Sequence, residues 1–170
     1  MDLPLILEIS ALELRQSTER GFGKERATKA GLTIRSPRYS ILEAGDNRNL
    51  LCECQAVNNR SGSKYKSSVL FESVDIVDDG SGTELQTANG PVNIAPVPGR
   101  SDVKVRCTCL DYRFRFADIN DGENALLGNR PPPYVRKTDT RPPANPSNSP
   151  GMCKHLHTFM DYLESEGIIV

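Results

Sequence analysis

Tryptophan is absent, and five Phe and five Tyr are the only large rings in 170 residues. Only 37% of the chain is hydrophobic, so the core it can build is modest. Neither sign of charge dominates. Twenty-one Lys and Arg stand against 22 Asp and Glu, a net charge of −1, so the whole-molecule field draws neither nucleic acid nor an anionic membrane. No apolar run reaches transmembrane length. Residues 1–8 (Met-Asp-Leu-Pro-Leu-Ile-Leu-Glu) lack a basic region, and their apolar run is too short for a signal peptide. The expectation is a soluble protein made in a cytosol, with no membrane partner. There is no HExxH pair, no Gly-rich phosphate cradle and no nucleophile elbow. Gly21-Phe-Gly-Lys24 has too little of the phosphate-loop spacing and reads as a joint. No small-molecule substrate is expected, and the chain is read as not an enzyme.

What is present is a set of soft metal donors. Five cysteines without an export signal fit a reducing compartment, where thiols bind metal more readily than they pair. Val103-Lys-Val-Arg-Cys107-Thr-Cys109 is followed much later by Cys153-Lys-His155. Three thiols and an imidazole are the donor set that tetrahedral Zn²⁺ prefers. One structural Zn²⁺ on Cys107, Cys109, Cys153 and His155 is therefore expected. His157 competes: positions i and i+2 diverge on a helix, so His155 needs a non-helical first turn, whereas Cys153 with His157 suits a helix. Cys52 and Cys54 share one face of a strand. They can complete a four-thiolate site, form disulfides, or be small buried residues, and the last reading is the simplest.

The elements follow from periodicity. A helix is predicted from about Ser10 to Glu19 after a short extended start through Leu5, Leu7 and Ile9. Residues 24–37 are basic and thinly apolar, an arm or a solvated linker. Leu50–Val57 and Lys64–Phe71 flank a Gly-containing polar turn, a hairpin signal. Val74 and Ile76 fall out of phase, which predicts a break near Ser73. Residues 78–82 (Asp-Asp-Gly-Ser-Gly) read as a turn, lacking the ligand spacing of a calcium loop. Residues 88–100 read as loop. Val103, Val105 and Cys107 alternate with Lys104 and Arg106, and Tyr112, Phe114 and Phe116 alternate with Arg113 and Arg115, which predicts a second hairpin. Its cationic face (Lys104, Arg106, Arg113, Arg115) is either a phosphate contact or a solvated sheet face.

Residues 120–151 carry Pro131-Pro-Pro133, Pro142-Pro143, Pro146 and Pro150, which exclude a helix or central strand. Loops of this length are uncommon unless functional or disordered. A stiff Pro-rich segment loses little entropy on docking, so it can grip a neighbour or simply be tethered at both ends by the metal. A last helix follows, with Leu156, Phe159, Met160 and Leu163 in one apolar stripe. The tail Ile168-Ile-Val170 can join a core or a neighbour.

The pattern Cys107-Thr-Cys109 … Cys153-Lys-His155 before an amphipathic helix resembles the SWIM zinc-binding signature, CxC then CxH in a ββα arrangement. The resemblance implies Cys107, Cys109, Cys153 and His155 as ligands. The two blocks (Val105–Phe116 and Asn145–Leu156) are also similar to SWIM-like proteins of tailed bacteriophages. The spacer between them is far longer than usual. The resemblance implies a virion component or an accessory protein; the virion component, made in a host cytoplasm with other virion proteins as partners in a symmetric assembly, is the preferred reading. The resemblance also implies nucleic acid as an alternative partner. The expected fold is α+β: a small antiparallel sheet joined to a C-terminal helix by a zinc staple, with residues 1–46 as an arm and linker and 47–170 as the metal-binding domain.

Overall fold

The computed structural model describes residues 8–23 and 31–170. The predicted extended start at Leu5 and Leu7, and Lys24, Arg26 and Lys29 of the predicted arm, lie outside them. The described chain is α+β, with helix α1 (Ala11–Phe22), strands β1 (Leu32–Ala44), β2 (Asn47–Asn58), β3 (Lys64–Phe71), β4 (Thr83–Thr87), β5 (Gly90–Ile94) and β6 (Val103–Cys107), and then helices α2 (Leu110–Arg115), α3 (Ala117–Gly122) and α4 (Lys154–Ser165). The strands form one six-stranded sheet in the order β5-β4-β1-β2-β3-β6. It is mixed, because β1 meets β4 in parallel, and larger than the small antiparallel sheet expected.

Helix α1 begins where the sequence puts it. Ser10 accepts from the Glu13 backbone N–H (3.2 Å), and the Glu13 carboxylate takes the Ser10 backbone N–H (2.8 Å), a reciprocal capping box. Its buried Ala11, Leu14 and Thr18 face the core, and Arg15 pairs with Asp161 and Glu164 of α4.

β1 corrects the reading of residues 32–44 as linker. It pairs antiparallel with β2 from Leu32↔Asn58 to Ala44↔Asn47, closed by a two-residue turn whose first residue is Gly45 (φ 62°). The strand is hard to see in the sequence because its register breaks between Arg35 and Arg38, where Ser36 takes φ 51° and Pro37 offers no N–H. β5 likewise occupies residues expected to be loop, and Pro91 is tolerated there because β5 is an edge.

The buried face of the sheet is a grid. Leu50, Cys52 and Cys54 of β2 lie opposite Phe71, Val69 and Ser67 of β3, which lie opposite Val103, Val105 and Cys107 of β6. Every residue of that grid is buried. The α4 stripe Leu156, Phe159, Met160 and Leu163 is also wholly buried, each side chain at 0% exposure, and α4 packs across β1, β2, β3 and β6. A buried Leu or Phe contributes roughly 1.5–3 kcal/mol, so this layer is the main apolar source of stability. β3 ends at Phe71 and Ser73 takes φ 62°, the break predicted there. The tail joins the core: Ile168 and Ile169 are buried, and Val97 N–H donates to Ile168 C=O (2.8 Å).

The predicted second hairpin is not formed. β6 keeps the alternation, with Val103, Val105 and Cys107 inward, but after Cys109 the chain turns into α2 and α3. Tyr112 and Phe116 are spaced both for one face of a strand and for one face of a helix. Both are buried, while Phe114, which a strand would bury with them, is 39% exposed.

Residues 123–153 carry no helix or strand beyond one bridge, Val105↔Leu126. The loop is sewn down at both ends. Val105 N–H donates to Ala125 C=O (2.9 Å) and Leu127 N–H to Val105 C=O (3.0 Å), so the near end lies along β6. Asn145 holds the far end, donating to Arg115 C=O (2.9 Å) and accepting from Ser149 N–H (3.0 Å). Residues 132–144 between these anchors are exposed.

Candidate metal centre

Cys107 stands at the end of the β6 row, Thr108 turns the chain, and Cys109 becomes the N-cap of α2, its sulfur accepting the Tyr112 backbone N–H (3.3 Å). Cys153 is the N-cap of α4 with extended backbone (φ −73°, ψ 168°), and His155 lies in the first turn. This is the non-helical entry that lets Cys153 and His155 face one point. Two of the three thiols thus sit at positive helix ends, which favour thiolate.

The three sulfurs and one His155 ring nitrogen lie within 4.8 Å of one another, and all four residues are buried. Nδ1 of His155 is 3.9 Å from the Cys107 sulfur and 3.8 Å from that of Cys153. With metal–sulfur and metal–nitrogen bonds of about 2.3 and 2.0 Å, the S···N edge of a tetrahedron is roughly 3.5 Å, so a small contraction closes the shell. The donors fit a metal ion in number, kind and spacing. His157 is buried on the same helix but is not among the four.

The thiols are electrostatically unequal without an ion. S–H groups donated by Cys109 and then Cys153 hold Cys107 well below the ordinary thiol range, and the Ser67 hydroxyl (3.6 Å) adds to this. Burial, followed by donation to Cys107 and Cys109, pushes Cys153 up. Three buried thiols crowd one point, and a bound cation would remove the cost of ionising them together.

A supporting shell holds these ligands, and nothing in the sequence singles its members out. Asn120, fully buried, donates to Gly151 C=O (2.9 Å) and to the Tyr112 hydroxyl (3.1 Å), and accepts from Gly151 N–H (2.9 Å). The Tyr112 hydroxyl donates to Val105 C=O (2.8 Å). Met152 N–H donates to Thr18 Oγ1 (2.9 Å), which ties the approach to Cys153 onto α1. The Tyr65 ring packs against that of His155 (centroids 4.6 Å apart, planes tilted by 38°), while His155 Nε2 has no hydrogen-bond partner among the described residues.

All five cysteines are free. Cys54 lies one strand from Cys107 with Ser67 between them, and burial pushes its thiol up to about 12. Burial raises Cys52 as well. They behave as small buried residues.

The four cations expected on one sheet face are dispersed. Lys104 pairs with Glu72 (3.5 Å), and Arg106 donates to the carbonyls of Leu127 (2.9 Å) and Asn129 (2.8 Å). Arg115 pairs with Asp111 (3.1 Å) and lies over the Phe22 ring, and Arg113 lies over Phe114. Arg113 and Arg115 belong to α2, not to a strand beside β6. No helix among the described residues is long and apolar enough to cross a membrane. Compared with protein-family models, with curated proteins and with solved structures, the chain matches none.

Proposed function

We propose that Cys107, Cys109, Cys153 and His155 hold one structural Zn²⁺, and that the chain is a non-enzymatic interaction protein. Its metal-stapled core would present the Pro-rich loop to neighbouring proteins. The observation that carries this reading is the convergence of four buried donors from either side of that loop. Zinc is the ion that best matches three thiolates and an imidazole. Four protein donors complete a tetrahedral shell and leave no position for water, which supports a staple over a hydrolytic site.

The similarity of the blocks Val105–Phe116 and Asn145–Leu156 to SWIM-like proteins of tailed bacteriophages supports placing the chain in a tailed-phage virion, in the tail, neck or baseplate. A loop anchored at Ala125–Leu127 and Asn145, with residues 132–144 exposed between, suits a clamp on neighbouring subunits. The alternative, nucleic-acid contact through Lys104, Arg106, Arg113 and Arg115, has less support because those side chains are spread over two elements and three make partners within the chain. Quantitative analysis of purified particles tests the reading: a fixed copy number supports it, and absence from the particle overturns the virion assignment.

A further inference from the structure

The chain is almost neutral, yet its charge is segregated. A groove of about 1040 Å³ lies between the Pro-rich loop and the α2–α3 segment and presents Arg113, Arg136, Lys137 and Arg141. Its one acidic lining residue, Asp118, is already paired with Arg130. Arg113, Lys137 and Arg141 make no ion pair among the described residues. The opposite pattern holds in the β3–β4 connection, where Asp75, Asp78 and Asp79 are exposed and also without an ion pair among the described residues. At the start of that connection the carboxylates of Glu72, Glu8 and Asp102 converge within 4.8 Å, with Lys104 paired to Glu72 (3.5 Å). Glu8 is raised from its ordinary value, first by its hydrogen bond with Asp102, a sign of crowded negative charge.

These two regions lie at opposite ends of one strand pair. Cys107, after which the chain turns into α2, faces Ser67, whereas Phe71, after which the acidic connection begins, faces Val103. Four residue steps separate the ends, roughly 13 Å. The acidic connection is also held away from the groove, since Val77 N–H donates to Asn93 C=O (3.0 Å) and Ala95 N–H to Asp75 C=O (2.9 Å) on the β5 side. One molecule cannot close this contact on itself.

We propose that the groove receives the acidic β3–β4 connection of a second copy of this chain. The proposal rests on the reading of the chain as an interaction protein and names the partner of its loop. Because donor and acceptor surfaces differ, the contact is head-to-tail, and repetition gives a ring if it closes or a filament if it does not. Opposite charges steer the encounter and fix which surfaces meet.

Sedimentation velocity of the full metal-loaded chain tests this. At about 0.05 M salt the protein sediments as an assembly, and at about 0.5 M, where charges are screened within a few ångströms, it sediments as a monomer. Arg136→Glu with Lys137→Glu gives a monomer at low salt, as does Asp78→Lys with Asp79→Lys. An equimolar mixture of the two double variants assembles again, because each reversed surface then meets its complement. Unchanged circular dichroism and metal content show that the variants are folded, and the wild-type salt series stands without them. A wild type that stays monomeric at low salt overturns the proposal, as does either variant assembling like wild type or a mixture that stays monomeric. Low-salt retention of a single-stranded oligonucleotide by monomeric wild type, lost on Arg136→Glu with Lys137→Glu, overturns it in favour of a nucleic-acid strand. If self-association fails while the chain is present in particles at fixed copy number, the interaction reading stands and only this partner is wrong.

Discussion

Replacing Asn120 with alanine removes a side chain that touches no metal donor yet holds the segment that delivers two of them. Asn120 spends both sides of its amide on Gly151, two residues before Cys153, and its remaining N–H on the Tyr112 hydroxyl. The site is fully buried, so the freed Gly151 N–H and C=O gain no direct access to solvent. A stranded buried polar group costs about 1–3 kcal/mol, and two of them with partial relaxation set the loss at about 3–4 kcal/mol. With a urea slope of about 2 kcal/mol per molar for a chain of this size, the unfolding midpoint drops by roughly 1.5–2 M. The assay is urea unfolding of wild type and Asn120→Ala, each saturated with zinc, followed by competition for the metal with a chromogenic chelator. Zinc affinity falls with stability, because the loop end that presents Cys153 is no longer fixed. A midpoint shift below about 0.5 M, with unchanged zinc affinity, refutes the claim that this amide positions the centre.

Other substitutions probe the same construction. Gly151→Ala places a Cβ 2.7 Å from Cε1 of Phe116 and against Thr18 Oγ1, so thermal unfolding should show a loss of at least about 2 kcal/mol. His155→Ala should weaken zinc binding by more than the roughly 100-fold that loss of an outer partner can cost, while His157→Ala leaves the zinc stoichiometry unchanged in elemental analysis. Glu13 is held below the ordinary carboxylate range by the Ser10 backbone N–H first and its hydroxyl second. The folded value is the lower one, so the cap's contribution is complete above the ordinary Glu value and fades as pH falls through the depressed one. An NMR titration of the Glu13 carboxyl should show that depression, and Ser10→Ala, which removes the hydroxyl but keeps the backbone N–H, should lessen it without abolishing it, at a cost of about 1 kcal/mol.

Where one local signal acted alone, the sequence was readable. The α4 stripe and the alternation of β2 and β3 around a polar turn each have a single physical interpretation. The donor spacing was readable for the same reason, since three thiols and a nearby imidazole have few other uses. β1 was lost because Ser36 and Pro37 break its register and much of it is exposed. α2 was misread because Tyr112 and Phe116 satisfy both periods, and the arbiter, Phe114, reveals its exposure only after folding. Asn120, Ser67 and Tyr65 act through partners distant in sequence, so no spacing marks them. The cationic face failed with α2, because its four residues depended on a strand that is not there.

The central claim is that a closed metal shell fixes the two ends of the Pro-rich loop. It is tested most directly by measuring zinc content and proteolytic sensitivity together. Mass spectrometry of the native chain should show about one zinc per molecule, as expected for a single four-donor shell. Removing it with a chelator, or by Cys109→Ser, should lower stability and open residues 123–152 to protease, since structural zinc contributes folding free energy. A chain that purifies without metal, binds none when offered it, and resists protease over that segment as well as before would contradict the account.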